Sequence, residues 1–186
     1  FGFLFFQHHH DKNSNKLKHD LDIYVYIHPM KFDSKTLYIW VGGSCDYAHK
    51  ERAGGGAYIA EIYDESLRPL SNDAHSSLSN KSRSSSREQS ATIIGTYTTA
   101  DFNTKEFQMI YRAMDHALAQ FGSDSGSAFA NRKIVFLSNV QYIQNYPKPE
   151  NVEVRILPYH KFPQQKQVHD LASEAMQKLR NDKVQQ

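Results

Sequence analysis

Residues 37–63 read LYIWVGGSCDYAHKERAGGGAYIAEIY. The segment Leu37-Tyr38-Ile39-Trp40-Val41 is dense in β-branched and aromatic side chains, the composition of a strand. On this reading Gly42-Gly43-Ser44 ends the strand, and Gly54-Gly55-Gly56 is a turn that leads into a second one, Ala57–Tyr63. The loop between them is long enough for an antiparallel pair.

Working downstream, residues 71–91 are rich in serine and read as a flexible insertion. Thr92, Ile93 and Ile94 mark a third strand over Ala91–Thr98, which completes an antiparallel meander. Asn103 with Glu106 three residues later has the form of a capping box. Phe107, Ile110, Tyr111, Met114, Ala117, Leu118 and Phe121 then recur at helical spacing, and Gly122 stops the helix. Ile134–Leu137 is an unbroken apolar run, the pattern of a strand buried on both faces. A short helix over Val140–Tyr146 ends at Pro147, and Val152–Leu157 alternates as a fifth strand. The last helix runs from Pro163 to Leu179, with Val168, Leu171, Ala172, Ala175, Met176 and Leu179 as its buried stripe.

The order β-β-β-α-β-α-β-α predicts an α/β domain: a five-stranded mixed sheet, three antiparallel strands and then two parallel ones, with helices on both faces. Right-handed crossovers place the fourth and fifth strands parallel to the first. Sites in such sheets form beyond the carboxyl ends of the parallel strands, here near Gly42 and Asn139.

Upstream, residues 1–34 read as a partly flexible N-terminal extension ahead of a domain at 35–181, with a tail at 182–186. Within the extension Ile23–His28 alternates like a short strand before Pro29, Asp11–Asp20 is a polar arm, and His8–His10 is a tag or an incidental tract. A first residue of Phe rather than Met suggests a piece of a longer protein or a trimmed product.

Of the 186 residues, 39% are hydrophobic and 23% charged, and 22 basic against 20 acidic residues leave a net charge of +2. That balance argues against a polybasic nucleic-acid binder while leaving room for a local basic patch. The lone Cys45 can form no intrachain disulfide, which points to an intracellular setting, cytoplasmic or nuclear, or to indifference to redox state. The strongest apolar run, Phe1–Phe6, falls far short of the roughly 20 residues of a membrane helix, so no membrane association is expected.

Five local words, in this order and on these elements, resemble the ribonuclease H family over roughly residues 35–180. They are Ile39-Trp40-Val41-Gly42-Gly43-Ser44-Cys45 with the following Gly54-Gly55-Gly56-Ala57-Tyr58, then Phe107-Gln108-Met109-Ile110-Tyr111-Arg112-Ala113-Met114, then Leu137-Ser138-Asn139-Val140-Gln141-Tyr142-Ile143, Pro158-Tyr159-His160, and Val168-His169-Asp170-Leu171-Ala172-Ser173-Glu174-Ala175. The resemblance implies a ribonuclease H-like fold and a site at Gly42, Gln108, Asn139 and His169, where the family carries acidic ligands. Two divalent ions do the family's chemistry, and magnesium wants hard, charged oxygens. Gly42 offers no side chain, Gln108 and Asn139 offer uncharged oxygens, and His169 is a poor magnesium ligand.

The expectation is therefore a catalytically inactive module with no metal or other cofactor. It binds RNA or an RNA–DNA hybrid, or scaffolds protein partners, within a larger nucleic-acid-processing protein or complex. Ser44, His160, Lys81, Arg83 and Arg87 are the candidate nucleic-acid contacts. An active enzyme is the alternative, with Mg²⁺ held by displaced acids among Asp46, Asp101, Asp115 and Asp170. Glu106 precedes Gln108 by two residues, about 200° around a helix, and is set aside on that ground. A pure protein-interaction domain is the third reading. Zinc binding by His169 with His160 or His116 fits no local ligand spacing, and Cys45 beside Asp46 and His49 reads as a buried or incidental thiol rather than a nucleophile with helpers.

Overall fold

The glycine runs that read as strand ends lie inside strands. In the computed structural model β1 spans Thr36–Cys45 and β2 spans Ala53–Tyr63, paired antiparallel from Tyr38↔Glu61 to Cys45↔Gly54. The described residues are 30–63, 90–159 and 161–185. The described residues from Phe32 onward form one compact unit, and of residues 1–31 only Met30 and Lys31 are described. The expected strand at Ile23–His28, the histidine tract, most of the Ser-rich insertion with Lys81, Arg83 and Arg87, and His160 lie outside the described residues.

β3 (Ala91–Phe102) pairs antiparallel with β2 and is four residues longer than the sequence suggests. The helix α1 covers Glu106–Phe121, β4 covers Lys133–Ser138, β5 covers Val152–Ile156, and α2 covers Pro163–Val184. The expected short helix after β4 is a 3-10 turn at Gln141–Asn145, and a further 3-10 turn follows α1 at Ser123–Ser125. The tail expected at 182–186 is helical through Val184. The sheet order is β3-β2-β1-β4-β5, and β4 lies parallel to both β1 and β5. This is the five-stranded mixed sheet the element order predicts. Among the described residues no helix is long and apolar enough to cross a membrane.

Strand alternation sends successive residues to opposite faces. Leu37, Ile39 and Val41 join Tyr58, Ile110, Ala113, Met114, Ala117 and Phe121 in the main core beneath α1. Tyr38 and Trp40 face the other way. There Trp40 Nε1 donates to buried Glu61 (2.8 Å), as does the Tyr63 hydroxyl (2.9 Å), and Gln164 on α2 reaches the same carboxylate (3.3 Å). Buried carboxylates need such donors, so this cluster ties α2 to the sheet.

The glycines explain how closely both helices approach. A β carbon on Gly55 would lie 1.9 Å from the Ala172 carbonyl oxygen of α2. One on Gly56 would lie 2.2 Å from the Met109 carbonyl oxygen of α1. These positions are bare because helix backbone occupies the space, and a turn conformation is not involved. The apolar face of α1 is correspondingly rotated from the expected one: Met109 and Ala113 are buried, while Phe107, Tyr111 and Leu118 are only partly so.

Gly55→Ala is expected to cost about 3 kcal/mol, the upper end of usual overpacking costs, because backbone rather than a movable side chain stands in the way. Gly95→Ala, which meets only the tip of the Phe121 ring at 2.9 Å, should cost less. Urea unfolding of the two variants checks this, and equal midpoints would contradict it.

Candidate functional site

β1 outruns β4. Their last paired residues are Trp40 and Leu137, yet β1 continues to Cys45. Beyond Trp40 the edge of β1 that faced β4 has no described strand beside it, and groups from both faces of the sheet can meet there. Gly42 looks toward α2: a β carbon there would sit 2.7 Å from Val168 Cγ2 and 3.3 Å from the His169 amide nitrogen. Gly43 looks toward α1: its β carbon would sit 2.8 Å from both Glu106 Cγ and Ile110 Cγ1.

Glu106 and His169 thus flank the same two residues. Burial pushes the half-buried Glu106 carboxyl above the usual glutamate range, and nearby His169 pulls it partly back. His169 is exposed, with the Tyr159 ring edge-on at 6.4 Å between centroids. Asn139 is exposed one residue past β4, whose end is pinned where the Leu157 amide donates to the Ser138 carbonyl (2.8 Å). Ser44 sits opposite Gly55 on the α2 face.

Gln108 does not join them. It is exposed, and its Oε1 accepts from the Lys105 amide (2.9 Å) and the Thr104 hydroxyl (3.3 Å). The helix begins at Glu106 with Lys105 as its cap, so Gln108 falls at the position that reaches back to the first turn. The expected Asn103–Glu106 capping box is absent, and Asn103 takes a left-handed turn (φ 57°). Glu106 is the α1 residue at the site, and sequence reasoning set it aside. Its signal was its spacing of four and seven from the buried Ile110 and Ala113.

The acids named as displaced ligands are dispersed. Asp46 pairs with Arg180 (3.0 Å) and His49 (3.2 Å), Asp101 with Arg112 (2.7 Å) and Asp170 with Lys166 (2.8 Å), while Asp115 accepts from the Tyr146 hydroxyl. Cys45 Sγ donates to the Thr104 carbonyl (3.6 Å) rather than meeting His49. His116 stacks on Tyr97 at 3.7 Å, over the β3 side of the sheet. Among the described residues no group of three or more His, Cys, Asp or Glu side chains gathers in a way that could hold a metal ion. Among the described residues one carboxylate, Glu106, stands at the site, and magnesium bound by protein wants more charged oxygen than that. The residues present do not fit a pair of divalent ions.

A separate groove opens at the amino-terminal ends of β4 and β5, lined by Arg132, Lys133, Lys148 and Glu153 among others. There Arg155 and then Lys133 hold the Glu153 carboxyl down to about 2. It lies at the other end of the parallel strands from Gly42 and Asn139.

No protein-family profile matches the sequence, and no curated protein matches it. Solved structures do. LC9-RNase H1, described as a type 1 RNase H with the type 2 active-site motif, superposes with a TM-score of 0.50 at 15% identity, over 79% of this chain and 74% of that one. The protease–reverse transcriptase of Prototype Foamy Virus aligns at TM-score 0.49 and 9% identity, over 80% of this chain and 22% of its own. LC11-RNase H1 in complex with an RNA/DNA hybrid aligns at TM-score 0.43 and 16% identity, over 77% of this chain and 98% of its own. At such identities the likeness is one of fold, and the chain has a ribonuclease H-like fold.

The raised Glu106 carboxyl has a signed consequence. A group whose folded value lies above its unfolded one favours folding fully below the unfolded value, and loses that contribution as pH rises through the folded value. The protein should therefore lose stability relative to Glu106→Gln as pH rises from the ordinary glutamate range through the raised midpoint. His169→Ala should move that midpoint further up. Carboxyl-carbon NMR titration reads the midpoint directly, and a value at or below the ordinary glutamate range would contradict the assignment.

Proposed function

We propose that this chain is a ribonuclease H-like module that binds nucleic acid without cleaving it, and that it works inside the cell as part of a larger nucleic-acid-processing protein or complex. The observation that carries the reading is the fit of α2 against Gly42. By the resemblance drawn from the sequence, an active ribonuclease H keeps a carboxylate at that position. Here even a β carbon would collide with Val168 Cγ2 at 2.7 Å. The position is uncharged and tightly packed: a carboxylate there would have to displace the Val168 side chain and press on the α2 backbone, 3.3 Å away at the His169 amide nitrogen. The scattered pairing of Asp46, Asp101, Asp115 and Asp170 counts against the displaced-ligand alternative.

A second reading, a protein-docking module, draws on the edge of the sheet. β3 carries β-branched residues along an outer edge that no other described strand covers, with Ile93 55% exposed. If that edge holds a protein partner, Ile93→Lys should abolish co-purification and leave nucleic-acid affinity unchanged.

Incubated with a labelled RNA–DNA hybrid and Mg²⁺ or Mn²⁺, the purified chain is expected to leave the hybrid intact. It is expected to retain the hybrid or its RNA strand with an affinity that falls as salt rises. Cleavage that follows the protein through purification and vanishes in Glu106→Gln, Asp46→Asn or Asp170→Asn would overturn the inactive reading. Failure to retain any nucleic acid at low salt would overturn the binding reading.

A further inference from the structure

Five large apolar side chains are exposed among the described residues: Tyr47, Ile93, Tyr142, Tyr159 and Val184. Three of them are tyrosines that follow β1, β4 and β5, the three neighbouring parallel strands, at their carboxyl ends. Tyr47 is 58% exposed, Tyr142 66% and Tyr159 36%. Single exposed aromatics need no explanation, but several grouped at one end of a sheet do.

Tyr47 and Tyr159 border the site described above. Tyr47 lies against the start of α1, near enough for the Glu106 carboxylate and backbone to act on its hydroxyl. Tyr159 presents its ring to His169. Tyr142 comes three residues after Asn139.

The backbone beneath or beside each ring is pinned. The Asp46 amide donates to the Ala53 carbonyl (2.9 Å) beside Tyr47. The Tyr111 hydroxyl donates to the carbonyl of Tyr142 (3.0 Å), and the Leu157 amide holds the start of the Tyr159 loop. Rings held on ordered backbone lose little freedom when something stacks on them. The Arg52 guanidinium lies 5.9 Å from the centroid of the Tyr47 ring, which adds a cation to one of the platforms.

The charges around this end are arranged for an anion. Asp46, Glu51 and Asp170 are matched by Arg180, Lys183 and Lys166. Lys50, Arg52 and Lys105 are exposed and have no carboxylate partner among the described residues. The one carboxylate that the described residues bring to the site, Glu106, is half-buried.

We propose that Tyr47, Tyr142 and Tyr159 form a stacking platform for unpaired bases, so that the preferred ligand is single-stranded nucleic acid rather than a hybrid duplex. This rests on the nucleic-acid-binding reading above and deepens it. A duplex hides the flat faces of its bases and offers a protein its edges and backbone, whereas unpaired bases can be splayed onto aromatic rings. Lys50, Arg52 and Lys105 supply the backbone attraction, which carries no sequence information.

The test measures binding of a fluorescein-labelled oligouridine and of a blunt RNA–DNA hybrid of equal length, by anisotropy at fixed low salt. The oligouridine should bind more tightly than the hybrid. Each of Tyr47→Ala, Tyr142→Ala and Tyr159→Ala should weaken oligouridine binding about 5- to 100-fold, the range of single base–aromatic stacks. Each Tyr→Phe counterpart should bind within about twofold of the unsubstituted chain, because it keeps the ring. Circular dichroism confirms that the variants fold. Tyr→Ala variants that bind oligouridine normally, or a hybrid bound as tightly as the single strand, would overturn the platform and leave nucleic-acid binding standing. Loss of binding to both probes in the unsubstituted chain would overturn both readings.

Discussion

Two helices reach the same pair of strands from opposite faces, at distances that leave no room for a β carbon. Gly55 meets the backbone of α2, and Gly56 meets the backbone of α1. Close packing of this kind is all-or-none in practice, because backbone cannot swing aside as a side chain can. The placement of both helices follows from it. With α1 seated on Gly43 and Gly56, Glu106 arrives at the end of the sheet. With α2 seated on Gly42 and Gly55, Val168 and His169 arrive there too.

The same constraint shapes the chemistry available to the site. Gly42 admits α2 so closely that a side chain there would have to displace Val168 and press on helix backbone 3.3 Å away. Among the described residues, what remains at the carboxyl ends of the strands is one half-buried carboxylate, one exposed imidazole, an amide and a set of exposed tyrosines. That inventory suits contact with flat, anionic ligands better than it suits holding divalent ions, which need several hard oxygens in one place. A fold can keep its architecture while the site it supports changes its chemistry, because the core beneath α1 and the Trp40–Glu61–Tyr63–Gln164 cluster beneath α2 lie apart from the reactive end.

The elements were legible in the sequence where periodicity and composition agreed. Leu37–Val41 and Ile134–Leu137 lie within strands of the sheet, and Gly122 caps α1 where expected, its amide returning to the Leu118 carbonyl (2.7 Å). Less legible were the strand interiors made of glycine. Gly42–Ser44 and Gly54–Gly56 carry the composition of turns, and only the helices packed against them reveal why they are extended. The candidate site was half legible. Gly42 and His169 lie against each other, but the α1 member is Glu106 instead of Gln108. The two differ by about 200° of helix rotation, and Phe107 and Tyr111 drew the expected apolar face away from the Met109–Ala113 face that is buried.

By itself the sequence determined the order and kind of the elements, the mixed sheet that follows from that order, and the scarcity of acids in the stretches that resemble ribonuclease H. Those properties are local or nearly so: strand composition, helical period, and which side chains the chain contains. The tertiary structure decided the roll of α1, the tight seating of α2 on Gly42, the dispersal of Asp46, Asp101, Asp115 and Asp170 onto separate partners, and the placing of Tyr47, Tyr142 and Tyr159 at one end of the sheet. Each of these depends on which backbone segments touch across the sheet. That is set by the sum of packing over both faces, and no single segment of the chain encodes it.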